Sequence, residues 1–260
     1  MSKNILIIIL FGLLVSCNES DEKKWTLVWE DNFDGDAGQL PNPQYWKFDV
    51  GTDWGNRQLE YDTDRSENVS LDGEGNLLII AREEQYEGQN YTSGRIKTQD
   101  LFDFTYGRVE ARIKLPWGQG IWPAFWMLGA NITDVGWPQC GEIDIMEYRG
   151  QEPSRIHGSL HGPGYSGGSP ITSKYDLFNA RFDTDYYLFA VEWESDEIRY
   201  YVNDDHYLTI KNNEPPGEWV FDDPFFIILN VAVGGTFVGN PNENTVFPQT
   251  MYVDYVRVYQ

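Results

Sequence analysis

The chain has 260 residues, 41% of them hydrophobic and 15% aromatic, enough apolar material for one sizeable core, and all-β units of this length are commonly single domains. Against 19 Lys and Arg stand 41 Asp and Glu, a formal net charge of −22. That balance argues against nucleic acid, whose phosphates are neutralised by basic side chains, and against an anionic membrane surface or a polyanionic substrate.

Lys3 precedes an apolar run from Ile5 to Val15 that ends in "LVSC" at Cys17. The run falls short of the roughly 20 residues that span a bilayer and reads as a secretory signal. Small residues before Cys17 resemble a bacterial lipobox, in which the cysteine is acylated. Residues 1–16 are therefore expected to be a lipoprotein signal peptide, Cys17 the lipidation site and 17–24 a polar tether. Residues 25–260 are expected to form one exported domain, lipid-anchored at the outer membrane or cell surface of a bacterium. Cys140 is the other cysteine, so no internal disulfide forms within the domain, and it reads as a small buried residue.

From Trp25 onward, short runs rich in β-branched and aromatic residues end at Gly, Pro, Asn or Asp, as in "NLLIIA", "YYLFAVEW" and "PFFIILNVAV". In "GRVEARIKL", Val109, Ala111, Ile113 and Leu115 alternate with Arg108, Glu110, Arg112 and Lys114, the pattern of a half-buried strand. "EWESDEIRYYVNDDHYL" carries the turn residues of hairpins, and no long capped helix stands out. Many short strands separated by turns predict a sandwich of two antiparallel sheets.

The stretch "GEIDIMEY" raises a question of parity. In a regular strand Glu142, Asp144 and Met146 share one face, and Glu147 points the other way with Ile143 and Ile145. A β-bulge, a device over-represented beside active sites, would bring Glu147 round to join the other two acids. Met146 is taken as the extra residue, and its removal is expected to turn Glu147 toward the core. Paired carboxyls are what glycoside hydrolysis needs, one to attack or activate water and one to protonate the leaving oxygen. Crowded carboxyls cannot all ionise, so their pKa values separate into acid and nucleophile.

Just upstream, "PWGQGIWPAFWMLG" supplies Trp117, Trp122 and Trp126 as platforms for sugar rings, with Trp126 in the most core-like context and Trp137 a fourth position. His157 and His161 have the i, i+4 spacing that binds zinc on a helix, but Gly158, Gly162 and Pro163 oppose a helix there. His161 reads as a hydrogen-bonding cleft residue, while His157 stays open between cleft and structural roles. Asn230 interrupts an apolar run and needs buried partners, which a cleft would supply.

"GEIDIMEY" resembles the E-x-D-x-x-E signature of glycoside hydrolase family 16 in its laminarinase-type form. "GNRQLEYDT", "YTSGRIKT", "YGRVEARIKLPWGQGIWPAFWMLG", "IHGSLHGPG", "FFIILNVAVGG" and "MYVDYVRVYQ" resemble the same family in the same order, from Trp25 to Gln260. The resemblance implies an all-β jelly roll with a substrate cleft on its concave face. It implies a monomeric, endo-acting, retaining hydrolase of β-1,3-glucan, a neutral polysaccharide, with mixed-linkage β-1,3-1,4-glucan as a second substrate. Glu142 would be the nucleophile, Glu147 the general acid/base and Asp144 the residue tuning the pair. Asn56, Glu60 and Arg95 would bind sugars on the non-reducing side. No cofactor would serve catalysis, but a structural Ca²⁺ would sit on the convex side at Glu30, Gly75 and Asp254. The alternatives are family relatives acting on agar or carrageenan, of which the sulfated galactans fit poorly with the acidic charge, and a glucan-binding protein without catalysis.

Overall fold

Along the strand Gly107–Lys114, Val109, Ala111 and Ile113 are fully buried, while Arg108 bonds Glu110 and Arg112 bonds Asp254 on the opposite face. This period of two recurs along the chain and sorts it into core-facing and outward residues. The structure is a computed structural model that describes residues 25–260. The expectations for the signal peptide, Cys17 and the tether lie outside those residues.

Among the described residues the strands are β1 (Leu27–Asp31), β2 (Lys47–Phe48), β3 (Glu60–Asp62), β4 (Val69–Leu71), β5 (Leu77–Tyr86), β6 (Gln89–Ser93), β7 (Arg95–Lys97), β8 (Gly107–Lys114) and β9 (Ile121–Gly129). After the four-residue helix α1 (Ile132–Val135) come β10 (Glu142–Tyr148), β11 (Arg155–His161), β12 (Ile171–Asp176), β13 (Tyr187–Trp193), β14 (Glu197–Val202), β15 (Asp205–Lys211), β16 (Phe225–Val233) and β17 (Gln249–Tyr259). They form two sheets. One runs β15-β14-β13-β8-β17-β5-β6-β3, with β1 added on β17 and β4 on β5, and the other runs β12-β11-β10-β9-β16-β7-β2. Pairing is antiparallel throughout except for β3 with β6. The expected sandwich is therefore the observed architecture.

Between the sheets, Val109, Ala111 and Ile113 of β8 meet Phe125 and Met127 of β9, Ile143 of β10 and Leu229 and Val231 of β16 in one core. Each such side chain contributes about 1.5–3 kcal/mol on burial. All nine residues of β16 are buried, because its other face is also covered: Phe226 and Ile228 pack with Leu128 and Cys140 beneath Trp126 and Ile132. Cys140 is a free buried thiol. No described helix is long and apolar enough to cross a membrane.

Two glycines shape the surroundings of β10. Gly141, immediately before it, has φ +77, and a Cβ there would meet the Phe225 ring at 2.9 Å. Gly158 on β11 lies where a Cβ would be 2.3 Å from the Tyr207 hydroxyl. The Tyr200 ring approaches the same point to 2.8 Å, and its hydroxyl donates to the Ser159 carbonyl at 2.8 Å.

Candidate active site

Opposite β11, Glu142, Ile143 and Asp144 pair with His161, Leu160 and Ser159, and pairing resumes at Glu147 with His157. Opposite β9, Asp144 pairs with Trp126, Met146 with Phe125 and Glu147 with Ala124. Ile145 has no partner in either ladder, and Met146 has one on β9 only. Ile143, Ile145 and Met146 are all buried in the core. The strand is thus bulged at Ile145–Met146, and Glu142, Asp144 and Glu147 share the face turned away from the core.

One part of the sequence reading is corrected by this register. If Met146 were removed, Ile145 would fall opposite Phe125 and Gly158, and Glu147 would keep Ala124 and His157 as partners. A regular E-x-D-x-E strand has all its acids on one face. The extra residue therefore sets the spacing of Glu147 from Asp144, and its loss would not drive Glu147 inward.

Cross-strand partners share a face, so the register lays out the rest of the surface. One row runs Lys97, Ile228, Trp126, Asp144, Ser159, Thr172, and the next runs Arg95, Asn230, Ala124, Glu147, His157, Lys174. Phe226, Leu128, Glu142 and His161 form a third.

Burial pushes the Glu142 carboxyl up to about 8, with the charge of Asp144 adding to the push and the Trp137 indole opposing it. The Trp137 Nε1–H donates to Glu142 Oε2 at 2.8 Å. Burial and the charge of Glu142 raise Glu147 to about 7, partly offset by His161, the Ser159 hydroxyl and the Trp122 indole. Ser159 Oγ lies 3.3 Å from Glu147 Oε2. Asp144, only 3% exposed, is held well above the carboxylate range by burial and by Glu147. Three carboxyls this close and this dry cannot all be charged. Burial favours a proton on the sealed Asp144, the Trp137 indole favours charge on Glu142, and Glu147 titrates near neutrality.

His161 Nδ1 accepts the Gly167 N–H at 3.2 Å, so Nε2 carries the ring proton. That nitrogen lies 3.1 Å from Asp144 Oδ2, though not aligned for a hydrogen bond, and 3.8 Å from Glu142 Oε1. The donor atoms of Glu142, Asp144 and His161 lie within 4.8 Å of one another. With the ring in this tautomer, His161 turns a proton rather than a lone pair toward them, which opposes a cation at that point.

Beside the acids, the Trp126 Nε1–H donates to Asn230 Oδ1 at 2.8 Å. The Arg95 guanidinium lies 4.9 Å from the Trp126 ring and 5.1 Å from Trp54, while its Nε donates to Asp49 Oδ2 at 2.9 Å. Trp126, core-like in sequence, therefore lies half-buried on the acid face. Trp54 and Asp49 went unnoticed in the sequence, although Trp54 stands two residues before Asn56. Trp122 is 8% exposed and packs 5.0 Å from Phe237, whose ring also borders His157.

Other expected residues lie elsewhere or serve differently. Trp117 is 47% exposed, with its backbone N–H on Gln249 Oε1 and its ring 5.6 Å from Arg181, and no contact links it to the acids among the described residues. Glu60 is 1% exposed and accepts the Val233 N–H at 2.7 Å, so it braces the end of β16 and offers no free carboxylate to a sugar. Asn56, exposed at φ +54, accepts the Thr236 N–H through its backbone carbonyl. Far from the acids, Glu30 lines a cavity of about 220 Å³ with Asp31, Asn32, Asp34 and Asn42. A Cβ on Gly75 would stand 3.9 Å from the Asn32 carbonyl. Glu30 is paired with Arg257, and Asp254 with Arg112. Oxygens suited to Ca²⁺ thus gather around Glu30 and Gly75, while Asp254 is turned to an arginine.

The model of the glycosyl hydrolases family 16 matches residues 48–257. A β-glucanase of Rhodothermus marinus is 42% identical, covering 96% of this chain and 93% of that protein. Among solved structures, the laminarinase catalytic domain of Thermotoga maritima aligns with TM-score 0.87 at 46% identity, over 92% of this chain and 99% of that one. The endo-β-1,3-glucanase of Pyrococcus furiosus aligns equally well, TM-score 0.87 at 47% identity, over 92% and 96% of the two chains. With its sandwich and its three acids on one face of β10 in place, the chain belongs to glycosyl hydrolase family 16.

Proposed function

We propose that the protein is an endo-acting, retaining glycoside hydrolase that cleaves β-1,3-glucan, with mixed-linkage β-1,3-1,4-glucan as a slower substrate. The observation that carries this reading is the bulged β10, which lines up Glu142, Asp144 and Glu147 on one face beside Trp126, Asn230 and Arg95. Relatives named as β-glucanase, laminarinase and endo-β-1,3-glucanase match along nearly the whole chain.

In the first step Glu142 attacks the anomeric carbon. The glycosidic C–O bond breaks, and the leaving oxygen takes the proton of Glu147, giving a glycosyl ester on Glu142. Glu147, now a carboxylate, then takes a proton from water as the water oxygen attacks the same carbon. The ester bond breaks, Glu142 recovers its charge, and configuration is retained. Raised to about 7 by burial, Glu147 suits both proton transfers near neutral pH. Protonated Asp144 steadies Glu142 without entering the bond changes.

The test is product analysis on laminarin, mixed-linkage glucan and agarose side by side. Fast depolymerisation of laminarin, slower action on mixed-linkage glucan and none on agarose are expected. Agarose cleavage without laminarin cleavage would refute the reading and favour the galactan-active alternative.

Two further proposals concern the periphery. The protein is exported and acts as a monomer held to a membrane by lipid on Cys17, and membrane association that survives Cys17→Ala would refute the anchor. A structural Ca²⁺ bound by oxygens of Glu30 and the Gly75 turn would raise the Tm of EDTA-treated protein without changing kcat. An unchanged Tm would refute it.

A further inference from the structure

Trp137 sits in the loop between α1 and β10, which backbone bonds hold tightly: Cys140 N–H to Gly136 O at 2.9 Å, Gly141 N–H to Pro138 O at 3.1 Å and Gly129 N–H to Gly141 O at 3.2 Å. The loop carries a large indole that is 44% exposed, where an aromatic residue gains little from burial. Its position has a different cause. The ring lies against the Gly167 backbone, where a Cβ would stand 3.8 Å from it, and 6.1 Å from the His161 ring. That placement aims Nε1–H at Glu142 Oε2, 2.8 Å away. The other oxygen, Oε1, stands 3.8 Å from His161 Nε2, beyond hydrogen-bond range. The carboxylate is thus held at Oε2 by the indole, with Asp144 as its other hydrogen-bonding neighbour.

Resting on the assignment of Glu142 as nucleophile, we propose that Trp137 is a positioning residue: its indole N–H holds Glu142 Oε2 and fixes the carboxylate plane for attack. A neutral donor suits this role. It stabilises the charged nucleophile by a charge-assisted hydrogen bond but cannot titrate or form an ion pair that would quench attack. An Arg or Lys in its place would bind the carboxylate more tightly in the ground state, where stabilisation does not accelerate the reaction. Indole is an aromatic donor without acceptor capacity, so the interaction has one sense and one geometry. The exposed part of the ring remains free to border the sugar, which makes Trp137 both a wall of the site and a handle on its nucleophile.

This role differs from that of a stacking platform in ways that can be measured. Trp137→Phe keeps a ring and removes the N–H. If the donor is what matters, kcat/KM on laminarin falls about tenfold or more, the range lost with a hydrogen bond to a charged group. The loss lies mainly in kcat, and the acid limb of the kcat/KM profile moves to higher pH because Glu142 loses a group that favours its charge. Trp137→His, which restores a ring N–H, recovers part of the loss. In the parent protein, the indole ¹⁵N–¹H resonance of Trp137 should also shift on Glu142→Ala, an observation that does not depend on how the Trp137 variants fold. Trp137→Phe with parental kcat and acid limb, or an indole resonance unmoved by Glu142→Ala, would overturn the proposal. If laminarin is not cleaved by the parent, or Glu142→Ala stays active, the underlying assignment fails instead, so the two failures are told apart.

Discussion

Deleting Met146 would remove the bulge and leave Glu142-Ile-Asp144-Ile-Glu147 as an alternating strand. The register on either side is already the one a regular strand requires: Asp144 faces Ser159 and Trp126, and Glu147 faces His157 and Ala124. The fold should therefore survive, with the cost set by losing one fully buried side chain. Met146 is 0% exposed, and truncating such a residue costs about 2–5 kcal/mol. For a domain of this size that lowers Tm by roughly 4–20 °C, at about 2–4 °C per kcal/mol. Met146→Ala, which keeps the bulge, should lose a similar amount and separates packing from spacing. Activity on laminarin should drop in the deletion because Glu147 is drawn along the strand. It should still stay at least about tenfold above that of Glu147→Ala, which forfeits the roughly 10²–10⁴-fold of general-acid help. Differential scanning fluorimetry and reducing-sugar release measure both quantities. A deletion variant that unfolds, or that is no more active than Glu147→Ala, would refute the claim that the extra residue sets spacing alone.

The two glutamates should respond differently to added nucleophile. Glu142→Ala should abolish turnover, with azide restoring it on activated aryl β-glucosides to give the inverted α-azide, read by NMR; a retained product would contradict its role. Glu147→Ala should fail on laminarin yet still form the glycosyl ester from activated aryl glucosides, which need little acid help, and equal losses on both substrates would contradict that. Stability should also fall as pH rises. Burial lifts Glu60 and Glu147 to about 7, from an ordinary value of 4.5. Between about pH 4.5 and 7 the folded protein therefore keeps protons that the unfolded chain has released, and ΔG of unfolding declines with pH. Glu60→Gln, neutral at every pH, should flatten the fall of Tm across that window, and an undiminished slope would show that Glu60 is not buried as described.

The β period and the acids of β10 were legible because both are local patterns. Alternation at Val109, Ala111 and Ile113 needs no knowledge of distant residues, and neither does the parity break at Glu147. What the sequence hid was the identity of the cross-strand neighbours. Trp126 looked like core because Phe125 and Met127 flank it, yet alternation sends those two inward and Trp126 to the acid face. The resemblance puts Glu60 among the sugar-binding residues, but the need of Val233 for an acceptor takes its carboxylate. Trp54 joins the site only because Arg95, distant in sequence, brings its ring near Trp126. Trp117, in the same aromatic segment as Trp122, lies beyond the start of β9, where the loop turns to Gln249 and Arg181.

The central claim, that Glu142 and Glu147 cleave β-1,3-glucan by double displacement, is tested most directly by following laminarin hydrolysis by ¹H NMR from the first minutes. The new reducing ends should appear as the β-anomer and only later mutarotate to the equilibrium mixture. An α-anomer formed first would contradict the covalent role of Glu142, and an absence of new reducing ends would contradict the proposed function itself.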